Sequence, residues 1–484
     1  MRLRTVFPIL ALVSAALAAC QTVGPDFQRP AAPPQTGYAM TGDRSPEAAA
    51  YGEQVARDWW SLYRSPDLDR VVREAVAGNR NLAVARATLA QARDAIAAQD
   101  PRLRIDANAS VTEERINFAA FGFSGFPGST EPLKNPTVTL YSFGASGRYD
   151  FDLFGQRRRE KERLYAEAET AAREADAAYL TLTAQVVGQA VNIAAARAQI
   201  SALEEVAASD RENLRLARDT YRLGGGTRLD VSTVESELAN DEAQVAPVRT
   251  QLGAARHALA LLVGQPPSGW TAPEFDLSTL AQPQRIPVAL PSELVRTRPD
   301  ILAAEARLHA ATAEIGVRAA DLYPKVSLTG ALTQAALSPG KLFTYNSTGW
   351  SIAPGITLPI FDRKQLAARR AGAEDAARAA LANYEGVVLQ AFGQVADALE
   401  AIAIDDEAIA LRQRELAAAQ DSLNLQRLRY RAGKSPLLPV LDAQRTYARA
   451  RQALATSQAQ RLRDCAQLLY ATGRGWDQAP KTAG

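Results

Sequence analysis

Leu103-Arg104-Ile105-Asp106-Ala107-Asn108-Ala109-Ser110-Val111-Thr112 alternates apolar and polar residues one by one. Successive side chains of a strand point to opposite faces, so this stretch has one greasy face and one polar, partly charged face. The pattern recurs outward in Tyr141, Phe143, Ala145, Gly147, Tyr149, Phe151 and Leu153, interleaved with Ser142, Gly144, Ser146, Arg148, Asp150 and Asp152. The second half of the chain repeats it, with Val326, Leu328, Gly330 and Leu332 against Lys325, Ser327, Thr329 and Thr333. A last stretch sets Trp350, Ile352, Ile356, Leu358 and Ile360 against Ser351, Gly355 and Thr357. Each stretch has about the ten residues that a tilted strand needs to cross a bilayer. A soluble sheet with one wet face explains any single stretch as well. The aromatic residues Tyr141, Phe143, Tyr149, Phe151, Phe154, Trp350 and Phe361 favour the membrane, because a lipid-facing surface carries such a girdle at its edges.

The N-terminus points the same way. Arg2 and Arg4 precede an apolar run from Val6 to Leu17 that is too short to span a membrane as a helix, which reads as a secretory signal over residues 1–19. Leu17-Ala18-Ala19-Cys20 resembles the lipobox of bacterial lipoproteins, which implies lipidation of Cys20; a small-residue cleavage site followed by a chance cysteine is the alternative. Gln21 after the cysteine, by the same resemblance, favours sorting to the outer membrane. One lipid anchor holds only moderately, so a second membrane element is expected, and the strands supply it. The stretch from Gln28 to Pro46, rich in Pro, Ala, Gly and Thr, reads as an extended tether. With Cys20 lipidated, Cys465 has no disulfide partner and reads as a small buried apolar residue.

The 484 residues are 47% hydrophobic and 22% charged at a net charge of +2, which describes a water-compatible chain without a polybasic tail. Positive and negative charges are interspersed, so nucleic acid is not an expected partner. After the signal no apolar run of about twenty residues is read, so no transmembrane helix is expected. Only His257 and His309 are present, both in helical patterns, and the carboxylates spread along helix faces. No metal-spaced cluster or nucleophile motif appears, so neither an enzyme, a metal site nor a cofactor is expected.

Between the strand pairs lie long helices. From Gln156 to about Leu223 there is no proline, and the run would be about 100 Å long as a helix. In the last helix Leu441, Ala448, Ala455, Leu462 and Leu469 fall seven apart, which means coiled-coil packing. The chain is also a duplication. Asn81-Leu82 matches Asp300-Ile301, Asp152-Leu153-Phe154-Gly155 matches Pro359-Ile360-Phe361-Asp362, and Tyr221-Arg222-Leu223-Gly224 matches Tyr430-Arg431-Ala432-Gly433. The expected organisation is therefore signal 1–19, lipidated tether 20–55, repeat 1 over 56–265, equatorial linker 266–290, repeat 2 over 291–473 and tail 474–484. In repeat 1 the spacing predicts strands at about 102–115 and 139–154 and helices at about 156–223 and 229–263. In repeat 2 it predicts strands at about 324–334 and 349–361 and helices at about 364–431 and 436–470.

Four strands cannot close a membrane barrel, because an open edge in lipid leaves backbone groups unpaired at several kcal/mol each. Copies must share one: two would give eight strands around a side-chain-filled interior, three would give twelve and leave a lumen. The polar faces bearing Arg104, Asp106, Arg148, Asp150, Asp152 and Lys325 favour water inside.

Taken together, the lipobox followed by Val23-Gly24-Pro25-Asp26-Phe27, Trp59-Trp60 ahead of the first helix, the paired Tyr-Arg-x-Gly turns and Val440-Leu441-Asp442-Ala443-Gln444-Arg445 resemble the TolC-like outer-membrane efflux factors. The likeness is to the lipoprotein branch that serves resistance-nodulation-division pumps. It implies an α+β membrane protein of two internal repeats, each with two barrel strands and long coiled-coil helices. It implies a homotrimer forming a twelve-stranded outer-membrane β-barrel continued by a periplasmic α-helical barrel, lipid-anchored in a Gram-negative bacterium. The function implied is a passive exit duct for small molecules such as drugs, coupled through a periplasmic membrane-fusion adaptor to an inner-membrane pump. The adaptor-docking tip turns would be Leu223-Gly224-Gly225-Gly226-Thr227 and Ala432-Gly433-Lys434-Ser435-Pro436, and Leu438, Asp442 and Arg445 match positions implicated in constricting the tip.

The residues add a physical reason: Asp442 and Arg445 lie three apart just after a turn, with Leu438 one helical turn before Asp442. In a trimer they would make an acidic ring beside an apolar ring, which can gate by electrostatics and dewetting. An exposed ion pair is the plain alternative. Gly224-Gly225-Gly226 lacks the following Gly-Lys-Ser/Thr of a phosphate loop, so a helix-ending turn is expected, and Pro436 suits the first turn of the following helix. A duct for secreted proteins and a non-pore periplasmic coiled-coil scaffold are the rival functions; the charged strand faces argue against the scaffold.

Overall fold

The computed structural model describes residues 22–99, 103–116 and 137–473. Cys20 and the tail 474–484 lie outside the described residues. These fall into two compact units, one from the described parts of Met1–Gln28, Arg93–Glu167 and Leu308–Ala380, the other from those of Arg29–Ala92, Ala168–Arg307 and Leu381–Gly484.

The first unit holds a four-stranded antiparallel sheet in the order β2 (Leu103–Arg115), β3 (Thr137–Phe151), β5 (Lys325–Ala336), β6 (Thr348–Thr357). Repeat 1 supplies one hairpin and repeat 2 the other, and β3 pairs with β5 across the duplication. The strand expected to reach residue 361 stops at Thr357, two residues short of Pro359, which has no N–H to give to a ladder. Pro354 sits inside β6 opposite Leu328 and gives no N–H to the ladder there.

Beside the sheet, Arg159 side-chain atoms are almost wholly buried while gathering the N-terminal segment. The guanidinium pairs with Asp26 at 2.6 Å and Glu162 at 2.8 Å, and donates to the carbonyl oxygens of Val23 and Gly24 at 3.3 and 3.2 Å. Phe27 stacks on His309 with ring centroids 4.3 Å apart, and His309 Nε2 lies 2.9 Å from Glu162 Oε1. The Val23–Phe27 motif is thus a clamp, not a free tether. His309 belongs to that clamp.

The second unit is built on helices: α1 (Pro66–Gly78), α2 (Arg80–Ala97), α3 (Gln156–Arg222), α4 (Arg228–Val263), α5 (Pro291–Thr297), α6 (Pro299–Ala320), α7 (Arg363–Arg431) and α8 (Leu438–Thr472), several of which run on into the first. The long helices of the two repeats have 67 and 69 residues, and the helices that follow have 36 and 35, so the duplication survives in element lengths. The segment expected as a loose tether carries β1 (Ala49–Tyr51), which pairs in parallel with β4 (Ile286–Val288), so the presumed linker 266–290 also holds a strand. Trp59 and Tyr63, on a short 3₁₀ turn, are buried with Leu68 and Val72 of α1, and Tyr63 donates its hydroxyl to the Leu462 carbonyl at 2.8 Å. Cys465 is a buried free thiol in the same core, pushed up to about 12 by burial.

One stretch of α7 is apolar enough by length and composition to cross a bilayer, which corrects the expectation that none exists. Its Val388, Ala391, Val395, Leu399 and Ile402 recur at helical spacing and are buried in the core of this unit, while about two thirds of the stretch, Leu389 and Ile404 included, is not buried.

Each repeat closes on the same device. At the joint of α1 and α2, Asn79 donates its amide to the Leu262 carbonyl near the end of α4 at 2.9 Å. At the matching joint of α5 and α6, Arg298 donates to the Ala471 carbonyl near the end of α8 at 3.0 Å. Arg298 also holds Asp300 through two parallel bonds of 2.8 Å and the Gln394 side-chain oxygen at 2.6 Å. Beneath Asn79 the backbones of Gly78 and Gly264 touch: a Cβ on Gly264, at φ +81°, would lie 2.1 Å from the Gly78 carbonyl oxygen.

Candidate functional site

The ladder of the sheet decides how its faces are made. Directly paired residues share a face, and the pairing joins Ile105, Gly147, Gly330 and Ile352 into one row and Ala107, Ala145, Leu332 and Trp350 into the next. Above and below run Leu103, Tyr149, Leu328 and Pro354, then Ala109, Phe143, Gln334 and Thr348. Apart from Gln334 and Thr348 in that last row, these four rows of the face are apolar from edge to edge. Ile105, Val111, Leu332, Trp350, Ile352 and Ile356 stand exposed on it, with Trp350 at 75% of its full accessibility.

The opposite face joins Arg104 to Arg148 and Thr329, and Asp106 to Ser146, Ala331 and Ser351. Its charges neutralise locally: Arg104 lies 3.2 Å from Asp106 and Arg148 2.9 Å from Asp150, each pair two residues apart on the same strand side. Ser110 and Ser142 hydroxyls meet at 2.7 Å across β2 and β3. A wide exposed apolar face backed by a hydrated, charge-balanced one is suited to separating lipid from water.

In the second unit, both long helices end in the same backbone motif. Gly224 (φ +82°) donates to the Tyr221 carbonyl at 3.0 Å and Gly225 to Thr220 at 3.0 Å; Gly433 (φ +68°) donates to Tyr430 at 2.9 Å and Lys434 to Arg429 at 2.9 Å. These paired bonds around a left-handed glycine satisfy the last carbonyls of a helix. Thr227 then caps α4, accepting from the Asp230 N–H at 3.2 Å while the Asp230 carboxylate accepts from the Thr227 N–H at 2.8 Å. The second turn is longer than expected: α8 begins at Leu438, not at 436, and the proline in its first turn is Pro439. Leu223, Gly224, Gly225, Ala432, Gly433 and Lys434 are exposed, as are Leu229 and Leu428.

After the turn, Val440 and Leu441 are buried, Val440 with Leu423 of α7 and Leu441 with Leu214 of α3 and Val234 of α4. Leu438 and the Asp442 carboxylate remain exposed, at 54% for the residue and 65% for the side chain, one helical turn apart. Arg445 does not close on Asp442, which lies 3.9 Å away; its chief partner is Glu237 of α4 at 2.5 Å. The pair expected within α8 is thus mainly a bridge between two helices. Sequence reasoning missed Glu237, though it stands beside Ser236, the first-half counterpart of Arg445. It also missed Gln444, which is buried and fully bonded. The Gln444 amide accepts from Ser209 Oγ at 2.8 Å and Asn213 Nδ2 at 3.3 Å, and donates to Asp210 Oδ1 at 3.1 Å. Among the described residues no group of three or more metal-ligating side chains comes together.

The model of the outer membrane efflux protein family matches residues 71–265 and 290–474, one stretch in each repeat. The chain belongs to that family. Among its relatives, the pyoverdine export outer membrane protein OpmQ of Pseudomonas aeruginosa is 30% identical over 476 residues, 96% of this chain and 97% of that protein. The cation efflux system protein CusC of Escherichia coli is 28% identical over 474 residues, 96% of this chain and 98% of its own length. Among solved structures, the outer-membrane channel OprN superposes with a TM-score of 0.83 at 30% identity, covering 95% of this chain and all of that one. The protein is therefore an outer-membrane efflux channel of Gram-negative type, reaching into the periplasm, with the long helices and the sheet of that fold. As a member of the efflux protein family it is an outer-membrane component of an efflux pump, which implies adaptor and inner-membrane partners.

Proposed function

We propose that three copies share one twelve-stranded barrel and that the chain is a passive, gated exit duct for small solutes. The two-faced sheet carries this reading. Its outer strands β2 and β6 run antiparallel to each other, with 13 and 10 residues, so β6 of one copy can pair with β2 of the next and continue the alternation. Pairing removes the open edges that lipid penalises, and three copies leave room for water between the polar faces. Lipidation at Cys20 would hold the N-terminus at the membrane, with the Val23–Phe27 clamp fixing where the tether leaves the fold.

At the other end of the reading, the turns Leu223–Thr227 and Ala432–Pro436 dock a periplasmic adaptor attached to an inner-membrane pump, which supplies the energy and selects the solute. The relatives' names, pyoverdine export and cation efflux, fit a duct that passes what its pump delivers. Leu438 and Asp442 face the constriction, and Glu237 holds Arg445 so that its charge stays beside Asp442.

The test is single-channel conductance of the purified protein in a planar bilayer beside Asp442→Ala at identical salt. The expected result is a small wild-type conductance that rises severalfold in the variant. Equally wide pores in both would remove Asp442 from the gate, and no channels in either would overturn the duct.

A further inference from the structure

Behind the gate residues lies a pair of buried acids to which neither the fold nor the duct assigns a role. Asp210 of α3 and Asp241 of α4 are 5% and 7% exposed, and the Asp241 carboxyl acts directly on that of Asp210. One Asp210 oxygen accepts from Gln444 of α8. One Asp241 oxygen accepts from Gln244 at 2.9 Å, while the other, Oδ2, is fully buried without a donor. Two carboxylates in such a site cannot both ionise cheaply, and a proton held between them provides the donor that Asp241 lacks. The charged groups facing the pair are few. Glu237 comes from α4, Arg445 from α8, and Arg427 of α7 reaches only Ser209, at 3.3 Å.

We propose that Asp210 and Asp241 share one proton that latches α3, α4 and α8 together, and that its loss as periplasmic pH rises draws Arg445 from Glu237 and loosens the gate end of α8. The chain of contact is short: Gln444, bonded to Asp210, is the neighbour of Arg445, and Arg445 bridges to Glu237. Burial first, and the Asp241 carboxyl second, push Asp210 up to about 7. An acid raised above its unfolded value binds more protons folded than unfolded, so the latch is fully present below the unfolded value of about 4 and is lost as pH rises through about 7. Once ionised, the two carboxylates repel each other and compete with Glu237 for the Arg445 guanidinium.

The inference rests on the gate reading for its consequence, but its test does not need a conducting channel. Spin labels at Leu229→Cys and Leu438→Cys, both exposed positions, report the α4 to α8 separation. Infrared spectroscopy reports a protonated carboxyl group directly. Between about pH 6 and about pH 8 the wild type should lose an acid carbonyl band while the label distances lengthen and broaden. Asp210→Asn, a neutral mimic of the protonated acid, should lose the pair's share of the band, leaving the share that Asp405→Asn removes, and keep the short distance throughout. Asp405→Asn is the control: Asp405 is raised to about 7 by burial and by Asp464, but its neighbours are Asp406 and Arg461, not the gate. It should keep the pH-dependent distance. A band unchanged by Asp210→Asn would show that the pair holds no proton, and a distance change surviving in that variant would show that the proton does not act on α8.

Discussion

With Leu332→Arg the protein should fail to assemble in the outer membrane, whereas Thr333→Arg should reach it in near wild-type amount. Leu332 lies in the middle of β5, in the row that joins Ala107, Ala145 and Trp350 on the apolar face. An arginine on the lipid face of a barrel costs about 2–4 kcal/mol near the midplane, and the proposed barrel of three copies would take that cost three times. Thr333 is one residue further, on the other face, between Gly144 and Gly349. The glycines leave room for a longer side chain, and water in the lumen would solvate its charge. Fractionation of membranes, with heat-resistant assembly scored on gels, checks both variants. Equal loss in the two would mean that the sheet does not separate lipid from water.

The second large effect is expected at Arg298→Ala. Arg298 is 4% exposed and ties four partners: both Asp300 oxygens, Gln394 and the Ala471 carbonyl near the end of α8. Truncation leaves that buried carbonyl and the Gln394 oxygen without a donor. Asp300 is 41% exposed at its side chain, so water can take up much of its charge. The loss should therefore be about 2–4 kcal/mol, mostly from unpaired acceptors and the cation's place at a helix C-terminus. Arg298→Lys should recover only part of it, because an ammonium cannot reproduce the fork that holds Asp300. Thermal or denaturant unfolding followed by far-ultraviolet circular dichroism measures the difference. A variant as stable as wild type would remove Arg298 from the closure of repeat 2.

The sheet was legible because alternation with period two specifies both faces at once, and the ladder pairs apolar with apolar along most rows of one face. The two helix-ending turns were legible because Gly224 and Gly433 follow matching Tyr-Arg sequences and a left-handed glycine ends a helix that way. Partners across helices were not. A heptad says which face of α8 is buried, yet it does not say that Arg445 reaches Glu237 in preference to Asp442, three residues away on its own helix. Gln444 reads as one more polar residue in a coiled coil, while its bonds to Ser209, Asp210 and Asn213 come from a helix more than two hundred positions earlier. Composition likewise misplaced the N-terminal segment. Pro, Ala, Gly and Thr suggest an extended tether from Gln28 to Pro46, but Arg29 pairs with Glu305 at 2.7 Å and Tyr38 donates its hydroxyl to the Ala289 carbonyl at 2.8 Å. Pro436 suggested a helix start, and Pro439 took the position instead.

Thiol accessibility in intact outer membranes tests the central claim most directly, by comparing Thr333→Cys with Leu332→Cys toward a small, water-soluble, membrane-impermeant maleimide. Cys465, buried and with its thiol pushed up to about 12, stays out of the reaction. The duct predicts fast labelling at 333 and almost none at 332. Labelling at 332 as fast as at 333, or at 332 alone, would contradict a sheet with lipid on one face and water on the other.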